Sequence, residues 1–530
     1  ERIATCCTWL GVALTSRNMS DQCSPEKTNI LLESKLLQFE SPFSWDVPPI
    51  QKSFVDQYLI SQLEKCENAE EENLFKWTRF NLQLLLSYEL WNQQSDIVNA
   101  QQYADKCLYM LEELRDNCSE PLFLSLTNAL WHVALATRAH IHLINRQYDL
   151  AEKLISKIVP VQYLSRAEQA GLWGIRASVF KQYSPAGHPF ALDFATKASQ
   201  LDPHQAEWHF IISNCLGRMR RVERGEVTMR EVEEMKEACI LQRDATYTSH
   251  LAQVFVDYSN YIYYNRSNRK VCSSVDWALR TSKIYNRKAI ERFKEAVEMR
   301  PHCPGLKVRV AHGLLKIRTL TKSDSTFAKQ LLDEALVHTP NNSMLHYDLG
   351  FFYEKFERDP KCALESLQKS HQLGNFPAFL YLMKLRWKYG ASWQGDLIAE
   401  IEKALEQYPS KANRADLLVH LGAAYLLIRE DWTAATDCFV QSLQLYPDAK
   451  YMKRFHGFGF YKEGKTNLLA IVTDELRQKT RMSNINNQIF KGFLDQIYKH
   501  NKYLFQKRLV PGIFAQFKEM EFAEKLDLPK

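Results

Sequence analysis

The sequence has little of the two residues that most often interrupt helices. Its 530 residues include 18 glycines and 18 prolines, roughly half the combined share found in average proteins. Since turns between strands depend on these residues, the scarcity favours helix and argues against an all-β fold. Hydrophobic residues at 45% and charged residues at 25% are ordinary globular proportions, which excludes global disorder and a collagen-like chain.

Long apolar runs and paired cysteine motifs are also missing. No run reaches the roughly 20 residues of a membrane helix. The nearest approach, residues 3–14, has the length of the apolar part of a signal peptide, and a trimmed N-terminus is the alternative. The 12 cysteines form no CxxC pair, so we expect reduced thiols, a cytoplasmic location and no membrane partner.

The charges nearly balance. The chain carries 68 Lys and Arg against 62 Asp and Glu, a formal net charge of +6, with a pI near 8.5. An anionic partner must therefore be met by a local cluster of basic side chains.

A pattern of four positions recurs five times along the chain. In outline it is a small residue, a large apolar residue four positions later, a small residue three later and a proline five later. Small residues let two helices approach, the large one fills the groove between them, and proline stops the helix. This is typical of the second helix of a helical hairpin. The five sets are Ala191, Ala195, Ala198 and Pro203; Ala289, Phe293, Ala296 and Pro301; Ala328, Leu332, Ala335 and Pro340; Leu397, Ile401, Ala404 and Pro409; and Ala435, Phe439, Ser442 and Pro447.

The first helix of such a hairpin should carry a glycine with an aromatic residue three positions later. Three stretches do so in register with the prolines: Gly350 with Tyr353, Gly422 with Tyr425, and Gly457 with Phe460. The array resembles tetratricopeptide repeats, whose hairpins stack into a right-handed superhelix with a concave groove. We predict an all-α fold, an irregular tetratricopeptide-repeat superhelix of the α-solenoid type.

The predicted array is irregular because the spacing between its prolines varies, and it replaces the three or four domains that length alone suggests. We expect an irregular N-terminal segment at 1–30 and N-terminal helical repeats at 31–185. A central repeat with basic and aromatic helices follows at 186–270, then tetratricopeptide repeats at 271–470 and capping helices at 471–530.

Short patches of the sequence resemble the interferon-induced proteins with tetratricopeptide repeats. One is similar to a Leu-rich stretch followed by Phe-Thr-Trp, one to a Glu-Gly-Trp segment with a basic residue one turn later, one to an Asp-Pro segment followed by an Arg, and one to the family's next repeat. The patches are Leu36, Leu37, Phe43, Ser44 and Trp45; Gly171, Leu172, Trp173 and Arg176; Asp202, Pro203, Glu207, Trp208 and Arg218; and Leu306, Lys307, Val308 and Ala311.

The resemblance implies a function and a set of site residues. Cytoplasmic members of this family bind the 5′ ends of foreign RNA in a basic tunnel and carry no catalytic activity. On this resemblance Arg176 and Arg218 contact the terminal phosphates and Glu207 orients one of the two arginines. His346 and Tyr347 line the RNA channel.

A run of arginines could supply the local basic cluster. Arg218, Arg220, Arg221 and Arg224 fall within seven residues, and spacings of three and four place side chains on one helix face. Guanidinium groups that face a channel bind phosphate in a bidentate manner. The alternative is a solvated basic turn.

Residues 260–270 combine aromatic and basic side chains. Tyr264 and Arg266 are the candidates for RNA contact there, because single strands are bound by base stacking and by charges at the backbone. The alternative is a Tyr-rich helix packed in the core.

Signals for catalysis are weak. Gly459, Gly464, Lys465 and Thr466 match the GxxxxGK[ST] phosphate loop, but that loop needs a preceding strand and here it falls at a turn between helices. There is no HExxH, no GxSxG and no Cys/His metal spacing. We therefore predict no enzyme, no catalytic residue, no metal and no cofactor.

The prediction is a non-enzymatic RNA-binding protein, similar to an antiviral effector of innate immunity. It would hold single-stranded RNA in a basic concave channel, with the 5′ phosphorylated end as one option. The alternative is a tetratricopeptide-repeat scaffold for protein–protein interaction. Both the RNA-binding function and the scaffold function are compatible with a homo-oligomer.

Overall fold

The computed structural model contains α-helices joined by turns and no β-strand in the part of the chain that it describes. The predicted all-α fold is confirmed. The chain divides into two compact units between Met299 and Arg300, called unit 1 and unit 2 below. The described residues are 32–49, 59–60, 62–63, 73–117, 121–223, 225–269, 271–389, 397–453, 455, 457, 467–482 and 488–500.

Some sequence predictions lie outside these described residues. They are the irregular segment 1–30, the stretch 459–466 that matches a phosphate loop, residues Arg224, Lys270 and Phe460, and the part of the predicted capping region after residue 500.

Unit 1 consists of antiparallel helical hairpins, preceded by a short helical turn at 32–36 and an irregular segment that continues to residue 49. The helix pairs α1/α2, α4/α5, α6/α7, α8/α9 and α10/α11 pack together. The helices are α1 (Asn73–Gln94), α2 (Ile97–Asn117), α3 (Pro121–Ser125), α4 (Thr127–Ile144), α5 (Tyr148–Ile155), α6 (Arg166–Phe180), α7 (His188–Leu201), α8 (Ala206–Glu223), α9 (Met229–Leu241), α10 (Ala245–Tyr264) and α11 (Val275–Met299), with a 3₁₀ turn at Val161–Tyr163.

Unit 2 continues the same architecture. The pairs α12/α13, α14/α15, α15/α16, α17/α18 and α18/α19 are in contact, and α22 packs on α19. The helices are α12 (Pro304–Leu315), α13 (Lys322–His338), α14 (Ser343–Phe352), α15 (Pro360–Gln372), α16 (Phe376–Tyr389), α17 (Leu397–Gln407), α18 (Lys411–Ala424), α19 (Trp432–Leu445), α20 (Lys450–Lys453), α21 (Leu468–Met482) and α22 (Gln488–His500).

The five repeat sets lie on α7, α11, α13, α17 and α19, and their apolar and small members are buried. These helices are the second helices of their hairpins or, for α17, a helix that packs on α18. Burial along one stripe is what holds each hairpin together, because the apolar stripe of a helix must be covered by a neighbour.

Polar side chains fix where the helices begin. Ser165 and Glu168 form a reciprocal capping box at the start of α6, since each side chain bonds the backbone N–H of the other. Asp244 accepts from two backbone N–H groups at the start of α10. In unit 2, Ser410 and Asp431 cap α18 and α19 in the same way. These caps satisfy donors that the first helical turn leaves unpaired.

Glycines mark where helices touch most closely. A Cβ at Gly174 of α6 would lie 2.0 Å from the ring of Trp208 of α8, so only glycine lets this buried indole reach the α6 backbone. In unit 2, a Cβ at Gly422 would lie 2.4 Å from the ring of Phe439. Gly422, one of the glycines that an aromatic residue follows three positions later in the sequence pattern, is therefore required by close contact.

We expect Gly422→Ala to destabilise unit 2 by about 1–3 kcal/mol, because the added methyl group overpacks the contact with Phe439. Gly492→Ala is the matched control in the same unit. Gly492 has open space around its Cβ position and lies inside α22, where alanine should stabilise by about 0.5–1 kcal/mol. Chemical denaturation of the full chain measures both, and equal effects of the two changes would contradict the packing argument.

Candidate functional site

The two units hold different parts of the predicted site. Unit 2 contributes two residues from α14, and unit 1 contributes the others from α6, α8 and the end of α10. The unit 1 residues are Arg176, Glu207, Arg218, Tyr264 and Arg266, and those of unit 2 are His346 and Tyr347.

Arg176 lies among aromatic rings. Its guanidinium carbon is 4.6 Å from the ring centre of Phe194, 5.6 Å from that of Trp45 and 5.8 Å from those of Trp173 and Phe180. Such contacts stabilise a cation that has lost part of its water. Burial lowers the pKa of this guanidinium, opposed by the nearby carboxylates, yet arginine stays charged in proteins. We call Arg176 and these four rings the aromatic cage.

A carboxylate lies beside the cage. Glu40 Oε2 is 3.6 Å from Nη1 of Arg176, which is an ion pair but too long for a hydrogen bond. The same Glu40 oxygen accepts a 2.5 Å hydrogen bond from Nε1 of Trp45. The Nε atom of Arg176 is buried and has no hydrogen-bond partner within the described residues.

The irregular segment that carries Glu40 is fixed to α4 by two histidines. The Glu40 backbone N–H donates to Nε2 of His132 at 3.0 Å, and Nδ1 of His132 bonds the Val159 carbonyl at 2.8 Å. About two turns further along α4, the ring of His140 stacks on that of Phe43, with ring centres 5.2 Å apart. Burial lowers the pKa of both histidines, that of His140 to about 3. Both are therefore neutral anchors at physiological pH.

A second feature of unit 1 is a group of basic side chains where the ends of α6 and α8 meet the start of α7. We call Lys181, His188, Arg218 and Arg221 the basic cluster. Arg218 Nη1 donates to the carbonyl of Lys181 at 3.3 Å, and no carboxylate within the described residues comes within ion-pairing distance of Arg218. Arg221 is 54% exposed and 3.6 Å from Asp257.

His188 is the unusual member of the basic cluster. It is 1% exposed, and neither of its ring nitrogens has a hydrogen-bond partner among the side chains and backbone that the structure describes. Burial, and to a smaller extent the charges of Arg218, Arg221 and Lys181, together lower its pKa to about 4. A buried polar group without a partner costs about 1–3 kcal/mol.

Arg220, which belongs to the same predicted run of arginines, behaves differently. Arg220 donates to both carboxylate oxygens of Glu231, at 3.0 Å each, and to Asp257 at 2.6 Å. Two carboxylates therefore neutralise Arg220, which ties α8 to α9 and α10. The arginines predicted to share one helix face therefore have different surroundings. Arg220 is a structural residue, whereas Arg218 and Arg221 belong to the basic cluster.

Glu207 is buried at the start of α8. It accepts a 2.9 Å hydrogen bond from the Tyr247 hydroxyl. Burial raises the pKa of Glu207 to about 7, although the charge of Lys181 and the bond from Tyr247 act in the opposite direction. Burial likewise lowers the pKa of Lys181, which Glu207 partly restores. Glu207 thus acts on the basic cluster through Lys181.

Tyr264 and Arg266 lie at the end of α10. The Tyr264 side chain is 67% exposed. Arg266 lies over the ring of Tyr263, 4.5 Å from its centre, and donates to the Tyr263 carbonyl at 3.0 Å. An exposed ring beside a stacked guanidinium is a surface to which an unpaired base can be added.

The unit 2 residues have local contacts. His346 Nε2 bonds the Pro340 carbonyl at 2.8 Å, one turn before α14. The ring of Tyr347 lies 6.2 Å from that of Tyr381, and burial raises the pKa of Tyr347.

Unit 2 also contains a groove of about 360 Å³ between α15 and α17. The groove is lined by the buried ring of Phe379, by Ala404, by three glutamine amides and by charged or polar side chains that include the ion pair of Arg386 with Glu400. The lining residues are Gln368, His371 and Gln372 of α15, Phe379 and Arg386 of α16, and Glu400, Lys403, Ala404 and Gln407 of α17. No local sequence pattern marks this groove, because the residues that line it belong to three different helices.

In the described part of the chain, no three His, Cys, Asp or Glu side chains gather as metal ligands would. No helix there is both long and apolar enough to cross a membrane.

Comparison with known proteins identifies the fold. No protein-family model matches the sequence, and no curated protein does. The structure is similar to a human IFIT1 dimer solved with m7Gppp-AAAA, at a TM-score of 0.57 and 12% identity over 90% of this chain and 97% of that one. A human IFIT1 dimer with PPP-AAAA is similar at a TM-score of 0.54 and 11% identity, over 90% of this chain and 99% of that one. A monomeric IFIT1 mutant with Gppp-AAAA is similar at a TM-score of 0.56 and 12% identity, over 90% of this chain and 99% of that one. The chain therefore has the tetratricopeptide-type fold of IFIT1.

The raised pKa of Glu207 has a measurable effect on stability. A carboxyl whose folded pKa is about 7 and whose unfolded pKa is about 4.3 stabilises the fold below pH 4.3, and this stability is lost as the pH rises through 7. We expect the stability of Glu207→Gln, relative to the unmodified chain, to increase by about 1–3 kcal/mol from pH 5 to pH 7. Denaturation at several pH values measures this, with Glu113→Gln on the surface of α2 as control. A constant difference across this window would show that Glu207 titrates normally.

Proposed function

We propose that unit 1 binds single-stranded RNA, with phosphates at the basic cluster and Arg176 and bases on neighbouring aromatic rings. The observation that carries this proposal is the basic cluster itself. It combines Arg218, which has no carboxylate partner among the described residues, with His188, a buried imidazole whose two nitrogens lack partners.

A phosphate oxygen would satisfy both features. It would accept from the guanidinium of Arg218 and from a ring N–H of His188, and bonds of this charged kind are roughly twice as strong as neutral ones. Its negative charge would also offset the mutual repulsion of Lys181, Arg218 and Arg221. The penalty of leaving the N–H of His188 unbonded would then be removed on binding, while its other ring nitrogen would stay an acceptor.

The aromatic residues favour a single strand over a duplex. Stacking requires bases that are not paired, and each stacked base contributes about 1–3 kcal/mol. Tyr264 offers an exposed ring next to Arg266. The likeness in fold to IFIT1 structures that hold short RNA ends supports the same class of ligand for this chain.

The finer proposal concerns the 5′ end and the role of binding. Arg176 and Arg218 would receive the terminal phosphates of a 5′-phosphorylated strand, and Glu207 would tune the charge of the basic cluster. Occupancy alone would withhold the RNA from translation in the cytoplasm, as an antiviral effector does. No chemical step is needed.

Filter binding of single-stranded RNA with 5′-triphosphate, 5′-monophosphate and 5′-hydroxyl ends tests the proposal. For the triphosphate we expect Arg176→Ala with Arg218→Ala to weaken binding at least about tenfold, since each charge-assisted bond contributes about 1.5–3 kcal/mol. The slope of log K against log salt should fall by about 1.4, at about 0.7 for each lost phosphate contact.

Arg292→Ala with Arg243→Ala is the matched control for charge. Both arginines are at least half exposed and pair with Glu295 of α11, so their loss removes two positive charges away from the proposed site. RNA affinity that is absent at moderate salt, or that the double variant leaves unchanged, would refute the proposal.

The groove in unit 2 favours a second candidate function, the binding of a protein segment. Glutamine amides both donate and accept hydrogen bonds, so Gln372 and Gln407 could bond the backbone of an extended peptide. Gln368 could do so through its N–H groups, since its oxygen already accepts from Arg386 at 2.7 Å. Lys403 would select an acidic residue in it. A volume of about 360 Å³ lies in the range of binding pockets.

For this second candidate we expect a photo-crosslinking residue at Gln372 to capture a stoichiometric protein partner. The same residue placed at Val337, which is 78% exposed on α13, should capture none. Lys403→Glu should abolish the crosslink at Gln372, because it repels an acidic segment. Recovery of no stoichiometric partner, or equal crosslinking at both positions, would exclude the peptide-binding role of this groove.

A further inference from the structure

We infer that Glu40 is an autoinhibitory residue of the aromatic cage: its carboxylate occupies Arg176 and must turn away before a phosphate binds there. This inference rests on the proposed function, since it regulates the same RNA site. It adds a residue that sequence analysis did not assign.

The ion pair is poorly formed for a permanent structural contact. At 3.6 Å the Glu40 carboxylate does not hydrogen bond the guanidinium, and the buried Nε of Arg176 has no partner among the described residues. A structural pair in this fold looks different, as Arg220 shows with its bonds of 2.6 and 3.0 Å. The terminal N–H groups of Arg176, which form no hydrogen bond in the described part of the chain, are the donors that a better-placed anion can use.

The Glu40 oxygen is also held by a group that does not depend on Arg176. Trp45 Nε1 donates to it at 2.5 Å, so the carboxylate is positioned next to Arg176 by the indole. Both partners of the ion pair are accessible to solvent, with 21% of the Arg176 side chain and 32% of the Glu40 side chain exposed. An incoming anion can reach them.

The backbone around Glu40 need not move for the exchange. Its N–H stays bonded to His132, and Phe43 stays stacked on His140. A small cavity of about 70 Å³ lies beside the Glu40 side chain, lined also by Gln169 and Trp173. A change of side-chain rotamer is thus enough to expose Arg176.

The anion that replaces Glu40 would meet a second cation at the cage. Lys197 Nζ lies 4.8 Å from the ring centre of Trp173 and 5.7 Å from that of Phe194, two of the rings that surround Arg176. It pairs with the exposed Asp193 on its own helix at 2.8 Å. A phosphate carries more charge than one carboxylate and would be attracted by Arg176 and Lys197 together, whereas of these two cations Glu40 pairs with Arg176.

Glu40→Gln tests the inference because glutamine keeps the size of the side chain and an oxygen that accepts from Trp45. The expected result is about three- to fivefold tighter binding of 5′-triphosphate RNA, the upper part of the range for a partly exposed ion pair. Binding of 5′-hydroxyl RNA should change less than twofold, as it brings no terminal phosphate to Arg176. In an Arg176→Ala background, Glu40→Gln should have no effect.

Glu33→Gln is the matched control, since it removes the same charge from an exposed position in the same segment. If RNA binding depends on Arg218 but Glu40→Gln leaves the affinity for the triphosphate unchanged, the autoinhibitory role is refuted and the proposed function stands. If neither the unmodified chain nor Glu40→Gln binds RNA, the proposed function fails and the inference fails with it. Equal tightening by Glu40→Gln and Glu33→Gln would show a general charge effect and would also overturn the inference.

Discussion

The structure depends on close approach between helices at positions that carry only glycine or alanine. In unit 1, Trp208 reaches the backbone of α6 at Gly174, and in unit 2 Phe439 does the same at Gly422. A large ring packed on a bare backbone fixes both the distance and the axial register of two helices. The polar residues near these contacts are therefore held in place by packing, and need no bonds to each other.

That register explains why the basic cluster exists. Gly174 and Trp208 align α6 and α8, and Arg218, almost three turns further along α8, meets the carbonyl of Lys181, about two turns further along α6. Like charges do not gather without a cause, because their repulsion has to be offset elsewhere. Here the offset comes from apolar packing at Trp208, which leaves the cations of the basic cluster available to a ligand.

Much of the fold could be read from the sequence, but less of the site. The small-residue sets, such as Ala191, Ala195 and Ala198, repeat at fixed spacing, and a local pattern of that kind survives in a single sequence. Arg218 stood out as part of an arginine run. His188 and Glu40 carry no such signal, because their importance comes from missing partners and from contact with residues far away in the chain. Tertiary packing alone reveals them.

The charge of the site is set by groups that do not titrate. Burial raises the pKa of the Glu207 carboxyl to about 7 and lowers that of the His188 imidazole to about 4, so the same physical cause moves both groups toward their neutral forms near neutral pH. Arginines stay charged under these conditions. The field that an RNA phosphate meets in unit 1 therefore comes mainly from Arg218, Arg221 and Arg176, while Glu207 changes it within a narrow window around pH 7. Two carboxylates, Glu40 and Asp46, act on the guanidinium of Arg176. Glu40 is the one paired with it, and its carboxylate is a third exposed, so a change of its rotamer would remove negative charge from the aromatic cage.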